Sequence, residues 1–177
     1  KHDTYLGLYH RDELVAHEIA HVGRMAFEEP KYEELIAYQS SQFSFRRWVG
    51  PLLQSAYEAL VLLGLVLLCV IVDLFTLVFA YPGAFTAALW WKLLPLGYLS
   101  YLFVRLALRQ KTFRRCKERL KEATGNTHAA QAVLFRLTDK EIGRFALLPP
   151  EQIRTEAQTA ATQSPRWKVI AAAYFKA

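Results

Sequence analysis

Cysteine is scarce in this chain, with only Cys69 and Cys116 among 177 residues. Cys69 falls in an apolar run and Cys116 in a basic stretch, with no zinc-finger spacing. Both read as reduced, structural thiols, which excludes a disulfide framework. Repeats and low-complexity tracts are missing, so each segment is read as a single-copy element. No secretory signal is visible at the start. The chain opens on Lys1 rather than methionine, the expectation for a piece of a longer protein. Charge is nearly absent from residues 59–80, where Asp73 stands alone, and basic residues are absent from 81–85.

Apolar and basic residues are in excess. The chain is 53% hydrophobic, and 22 Lys and Arg outweigh 16 Asp and Glu, giving a net charge of +6. That length accommodates one domain, or a small domain with a membrane segment. Residues 59–80 would span ~33 Å as a helix, enough to cross a hydrocarbon core. Tyr81-Pro82-Gly83 breaks the run, and a second apolar segment covers about 85–107. Two such runs around a Pro-Gly turn predict a two-span transmembrane hairpin, about 57–80 and 85–107, within a 46–107 unit. Arg46, Arg47 and Trp48 suit the membrane–water boundary, and Gly50-Pro51 is expected to start the first helix. A hairpin turning between 82 and 83 sets Asp73 and Lys92 at equal depth, where a charged pair costs less than two lone charges.

Basic residues crowd the outer flanks: Arg46 and Arg47 on one side, and Arg109, Lys111, Arg114, Arg115, Lys117, Arg119 and Lys121 on the other. The positive-inside rule therefore puts both ends in the cytoplasm. Residues 109–122 read as a basic helix suited to anionic lipid headgroups. Nucleic acid is not expected as a partner, because aromatic residues are not interleaved and no recognition fold is apparent.

The chemistry concentrates near the start of the chain. His17-Glu18-Ile19-Ala20-His21 is an H-E-x-x-H motif in a segment that reads as a helix, with Asp12 as N-cap, Glu13 in the first turn, and Leu14, Val15, Ile19 and Val22 as apolar positions. Residues four apart share one helix face, so both imidazoles can grip one Zn²⁺ while Glu18 serves as general base. A third protein donor is needed. A turn near 27–28, followed by a helix starting at Pro30, places position 34 level with 21, each roughly 6.5 residues from the midpoint at 1.5 Å per residue. Glu34 is the expected third ligand, and Glu33, about 100° around the helix, is the alternative. Tyr5-Leu6-Gly7-Leu8-Tyr9 reads as an edge strand beside this helix.

With these residues in place, the chain resembles the gluzincin metallopeptidases, whose H-E-x-x-H helix is followed by a helix bearing E-x-x-A, here Glu34-Leu35-Ile36-Ala37. The resemblance spans about residues 10–40. It implies zinc-dependent peptide hydrolysis with His17, His21 and Glu34 as ligands and Glu18 as catalytic base. Tyr38 stands where many members carry an Asp that orients a ligand histidine. Downstream, Thr124-Gly125-Asn126, Ala130, Val133-Leu134 and Leu137 resemble a segment of the HtpX and CAAX prenyl protease-like peptidases, as does Gln163-Ser164-Pro165 with Ile170. In that family the ligand glutamate precedes T-G-N at a position matching Phe113, so Glu118 is a further candidate ligand and Glu122 would need the same shifted alignment.

The expectation is a mainly α protein: a zincin-like helical hairpin over 1–45, the transmembrane hairpin over 46–107, and a basic juxtamembrane helix with a cytoplasmic helical region over 108–177. Helix starts are expected at His128, at the Thr138-Asp139-Lys140-Glu141 cap, at Pro149-Pro150, and at Ser164-Pro165 with an end near Lys176. The function expected from the resemblance is a zinc endopeptidase integral to a membrane, the bacterial inner membrane, with membrane lipids as surroundings and membrane proteins or peptides as substrates. A membrane scaffold with a structural zinc site is the competing reading, as is an assembly or transport component whose basic helix is the working part. Tyr38 and His128 are the candidates for oxyanion stabilisation.

Overall fold

A computed structural model describes residues 4–5, 9–79 and 89–175. The chain is mainly helical. A small antiparallel pair, β1 (Thr4–Tyr5) and β2 (Tyr9–His10), sets Thr4 opposite His10 and Tyr5 opposite Tyr9. In place of the single strand expected over 5–9 there are two short paired strands, and residues 6–8 lie outside the described residues. Helix α1 (Arg11–Arg24) follows directly, with His10 as its N-cap. Asp12 is a first-turn residue rather than the cap.

The face that α1 turns inward is the polar one. Glu13, Ala20 and Arg24 are buried, whereas Val15, Ile19, Val22 and Met25 are 46–69% exposed. Of the four apolar positions expected to seat this helix, Val15, Ile19 and Val22 thus point outward and Leu14 is half-buried. Its rotation is set instead by polar contacts, above all by Arg24. That guanidinium, 2% exposed, donates to the carbonyls of Phe135 and Leu137 at 2.9 Å each. It also lies 3.6 Å from Asp139 and 5.2 Å over the Phe27 ring. Burial lowers the Arg24 pKa, against the opposing pull of Asp139, Glu33 and Glu29.

The chain reverses through a 3₁₀ turn, Met25–Phe27, and a left-handed Glu28 with φ of 51°. Helix α2 (Glu33–Ala37) then returns along α1. Pro30 does not start it: Lys31 and Tyr32 form a turn first, held where Lys31 N–H donates to Asp139 at 2.8 Å. Helix α3 (Ser44–Val49) carries Arg46, Arg47 and Trp48, and Gly50–Leu52 forms a separate 3₁₀ turn. Gly50-Pro51 thus ends a short element, and the long helix starts later, at Ala56.

Helix α4 (Ala56–Phe79) is 24 residues long and apolar enough to cross a membrane, and Thr76 alone of its residues is buried. Helix α5 (Leu93–Thr124) is a single rod of 32 residues. The expected break between a second span ending near 107 and a basic helix starting near 109 does not exist. Trp90 and Trp91 form a short helical lead-in before a turn at Lys92, and the expected residues 85–88 lie outside the described residues. The two helices run antiparallel. Glu58 pairs with Arg105, Gln54 accepts from Arg109, the Cys69 thiol donates to the Trp91 carbonyl at 3.4 Å, and Lys92 Nζ meets Asp73 Oδ2 at 3.1 Å. The equal-depth pairing of Asp73 and Lys92 is therefore present. A double-mutant cycle with Asp73→Asn and Lys92→Met is expected to show a coupling of about 0.5–3 kcal/mol in detergent unfolding. A loss from Asp73→Asn that is the same in both backgrounds would mean the charges act independently.

Beyond Arg105, α5 turns an apolar face inward. Leu106, Phe113, Cys116, Leu120 and Ala123 recur at three-, four- and seven-residue spacing, and all are buried. They form one core with Tyr32 and Leu35 of the first helical hairpin and with four shorter helices: α6 (Thr127–Phe135), α7 (Asp139–Phe145), α8 (Pro150–Gln163) and α9 (Pro165–Tyr174). The basic stretch is thus also the spine of the C-terminal bundle. Gly125, with φ of 69°, closes α5, and Asn126 Oδ1 accepts from the His128 N–H to cap α6. Thr138 and Glu141 complete the expected capping box. Glu141 also takes hydrogen bonds from Arg166 and from Trp167 Nε1, which locks α7 to α9. Burial would raise the Glu141 pKa, but these donors and the Thr138 N–H outweigh it and hold the carboxyl below its ordinary value. Both cysteines are free thiols, and burial pushes Cys116 up to about 12.

Candidate metal centre

The turn at Glu28 brings the face of α1 that bears the histidines against the first turn of α2. His17 Nε2 and His21 Nε2 lie 3.2 Å apart. The Glu34 carboxylate faces both, 3.9 Å from His17 Nε2 and 3.6 Å from His21 Nε2. One donor atom from each of the three residues falls within 4.8 Å of the others. The expected trio is thus brought together on two adjacent helices.

Glu33 takes a different position. Its Oε1 lies 2.7 Å from His21 Nδ1, the ring nitrogen that faces away from Glu34. A carboxylate there accepts the Nδ1 proton, which leaves Nε2 as the lone-pair donor pointing at the cluster. Glu33 is thus placed behind His21, outside the cluster that His17, His21 and Glu34 form. Tyr38 stands over the other histidine, its ring 4.7 Å from that of His17 in an edge-on contact. Glycine at position 50 makes room for the Tyr38 ring; a Cβ there would come within 2.3 Å of it. Tyr38 thus packs edge-on against His17.

Partial burial of a carboxylate marks the centre electrostatically. Burial raises the Glu34 pKa; His21 and His17 act in the opposite direction, and the Glu33 and Glu18 charges add to the rise. Two imidazole nitrogens and a partly desolvated carboxylate are the donor types of a three-ligand zinc site. The residues present fit that ion.

Glu18 is exposed and lines a cleft of about 160 Å³ together with His17, Leu14, Tyr38 and Ser41. Glu13, one turn before His17, closes the cleft floor. It accepts a 2.5 Å hydrogen bond from Ser41 Oγ and a 3.3 Å bond from Arg46, while its Oε2 is buried without a partner. Position 13 shares the helix face of residues 17 and 24, which is the one sequence signal that could have marked Glu13 and Arg24 as inward-facing.

The other candidates stay apart. Glu118 sits on the exposed side of α5, 3.8 Å from Arg114, and Glu122 pairs with Arg119 on the same exposed side. Neither joins the cluster. His128 is an exposed first-turn residue of α6, bonded through its backbone to Asn126. No protein-family model, curated protein or solved structure matches this chain.

Because Glu33 holds His21 through its far nitrogen, Glu33→Gln is expected to weaken zinc binding by about 10–100-fold. Competition against a chromogenic chelator measures it. An unchanged affinity would make the 2.7 Å contact incidental.

Proposed function

We propose that this protein is a zinc-dependent endopeptidase held in a membrane by the α4–α5 hairpin, cleaving peptide bonds at the cytoplasmic face. The observation that carries the reading is the convergence of His17, His21 and Glu34 beside a cleft lined by Glu18. His17, His21 and Glu34 would hold the ion. When bound, zinc supplies a Lewis acid that acidifies water and polarises a carbonyl. Glu18 then takes the proton of the attacking water and delivers it to the leaving amine. Glu33 and Tyr38 keep the two imidazoles aimed, by a hydrogen bond and by ring packing respectively.

The membrane part of the proposal rests on α4. A helix this apolar and this exposed needs an apolar solvent, and an aqueous one would leave a surface far larger than soluble proteins tolerate. The apolar first turns of α5, paired to α4 through Lys92 and Arg105, form the second arm. The charge distribution puts the site on the cytoplasmic side, in a bacterium the inner membrane. Membrane proteins or peptides presented there are the substrates. A zinc site that served only as a staple would have no use for Glu18 at the mouth of a cleft, which favours the enzyme over a scaffold.

The test is zinc-dependent cleavage. Purified protein should carry about one zinc per chain, as three-ligand catalytic sites do, and should cleave unfolded membrane protein or itself. A chelator should stop cleavage and added zinc restore it. Cleavage indifferent to the chelator, or a metal-loaded protein that cleaves nothing, overturns the reading.

A further inference from the structure

On the opposite flank of α2 from the metal centre, a cavity of about 500 Å³ opens between α2, α3 and α5. Its floor is apolar, made by Leu35, Trp48, Ala107 and Phe113. Its rim is cationic: Arg47, Lys111, Arg114 and Lys117. No Asp or Glu lines it. Among the described residues, neither Arg47, Lys111 nor Lys117 has a carboxylate partner, and Arg114 has only Glu118, outside the cavity. A second hollow of about 260 Å³ shares Gln39, Phe113 and Lys117 with the first and extends the groove toward Leu134.

Its level is set by the hairpin. Glu58, in the first turn of α4, pairs with Arg105, and Gln54 with Arg109. Counted from Arg105 at ~1.5 Å per residue, Lys111 therefore lies about 9 Å past the first turn of α4, near the lipid phosphate groups, and Arg114 and Lys117 follow about one and two turns farther out, within side-chain reach of them. Trp48 lies just inward of these cations, tied to α5 where Gln110 donates to its carbonyl at 2.6 Å and where its ring approaches Phe103 at 6.3 Å. Burial and the neighbouring Arg47 both lower the Lys117 pKa, the signature of cations gathered without a counter-charge. An apolar floor beneath unpaired cations, at this depth and of this volume, has the makings of a ligand site for an anion with a hydrocarbon tail.

We propose that this cavity binds one anionic phospholipid, its phosphate held by Arg47, Lys111 and Lys117 and the start of its acyl chain laid over Trp48 and Phe113. The occupant is a lipid rather than a free anion because four of the eleven lining residues, Leu35, Trp48, Ala107 and Phe113, present apolar surface that a soluble phosphate would leave uncovered. The inference rests on the membrane part of the proposed function and is independent of the peptidase part. Leu35 and Gln39 touch the cavity while Glu34 and Tyr38, on the same turns, face the metal centre, so an occupied site braces α2 from behind.

The experiment uses the full chain in nanodiscs of equal phosphatidylglycerol and phosphatidylcholine, with lipids retained after release counted by native mass spectrometry. Wild type should retain phosphatidylglycerol at about tenfold or more over phosphatidylcholine, as expected for two or three lysine or arginine contacts. Lys111→Gln with Lys117→Gln should abolish the enrichment. Arg119→Gln with Lys121→Gln, which removes the same charge from positions that do not line the cavity, should keep it. Equal loss in both pairs means diffuse attraction by the basic helix and overturns the site. Displacement of the lipid by millimolar inorganic phosphate means an anion site with no use for the tail, and overturns it too. Failure of wild type to enter nanodiscs of phosphatidylcholine alone removes the membrane reading itself, a result separable from loss of lipid preference.

Discussion

Glu18→Gln is expected to lower peptide cleavage by about 10²–10⁴-fold while leaving zinc bound. The substitution keeps the size of the side chain and removes only its ability to accept a proton. Glu18 lies outside the ligand trio, on the exposed side of α1 beside His17, so the donors that would grip the ion are untouched. A fall confined to kcat, with metal content unchanged, separates a lost base from a lost site. His21→Ala is the complementary control: it removes one of three donors and should lose metal and activity together. Cleavage by the Gln variant at the wild-type rate would leave Glu18 without a role and with it the peptidase reading.

Arg24→Ala is expected to destabilise the protein by about 3–5 kcal/mol, the cost of breaking a buried pair by removing one partner. Arg24 is the only contact of α1 that reaches deep into the C-terminal half among the described hydrogen bonds, through the Phe135 and Leu137 carbonyls. Its loss strands two carbonyls and leaves Asp139 with the Lys31 N–H but no cation. Asp139 already has a raised pKa; burial is the main cause, and the Lys31 N–H and Arg24 oppose it. Removing Arg24 raises it further. A folded-state carboxyl with a raised pKa favours folding as pH falls through that pKa, so the variant should recover part of its deficit on acidification. Thermal or urea unfolding in detergent at neutral and acidic pH measures both effects. A loss below about 1 kcal/mol, the range of a single neutral hydrogen bond, would mean that water replaces the guanidinium.

How much of this was legible in the sequence differs from element to element. Helix starts with local chemistry were readable: the Thr138 and Glu141 capping box, Gly125 at the end of α5, Pro150 and Pro165 at the first positions of α8 and α9. These are contacts within one turn, so the local sequence carries them. The last helix ends at Tyr174, short of the expected Lys176, which lies outside the described residues. The rotation of α1 was not readable. Its apolar residues pointed to one face, but the buried guanidinium and carboxylate on the other face find partners more than a hundred residues away. The continuity of α5 was also hidden, because a change from apolar to basic composition looks like a boundary although helix geometry has no reason to break there.

For the candidate centre, the sequence by itself determined the donor types, the four-residue spacing of His17 and His21, and Glu34 as the third member of the cluster, although the helix that carries it starts at Glu33 rather than at Pro30. Spacing on a helix is a local quantity, and a short reversal leaves little freedom in register. Only the tertiary structure decided that Glu33 serves His21 from behind, that Tyr38 takes the place beside His17 with Gly50 making room, and that the basic helix doubles as a core element. Those roles depend on which side chain faces which, a relation between distant segments that no local pattern encodes.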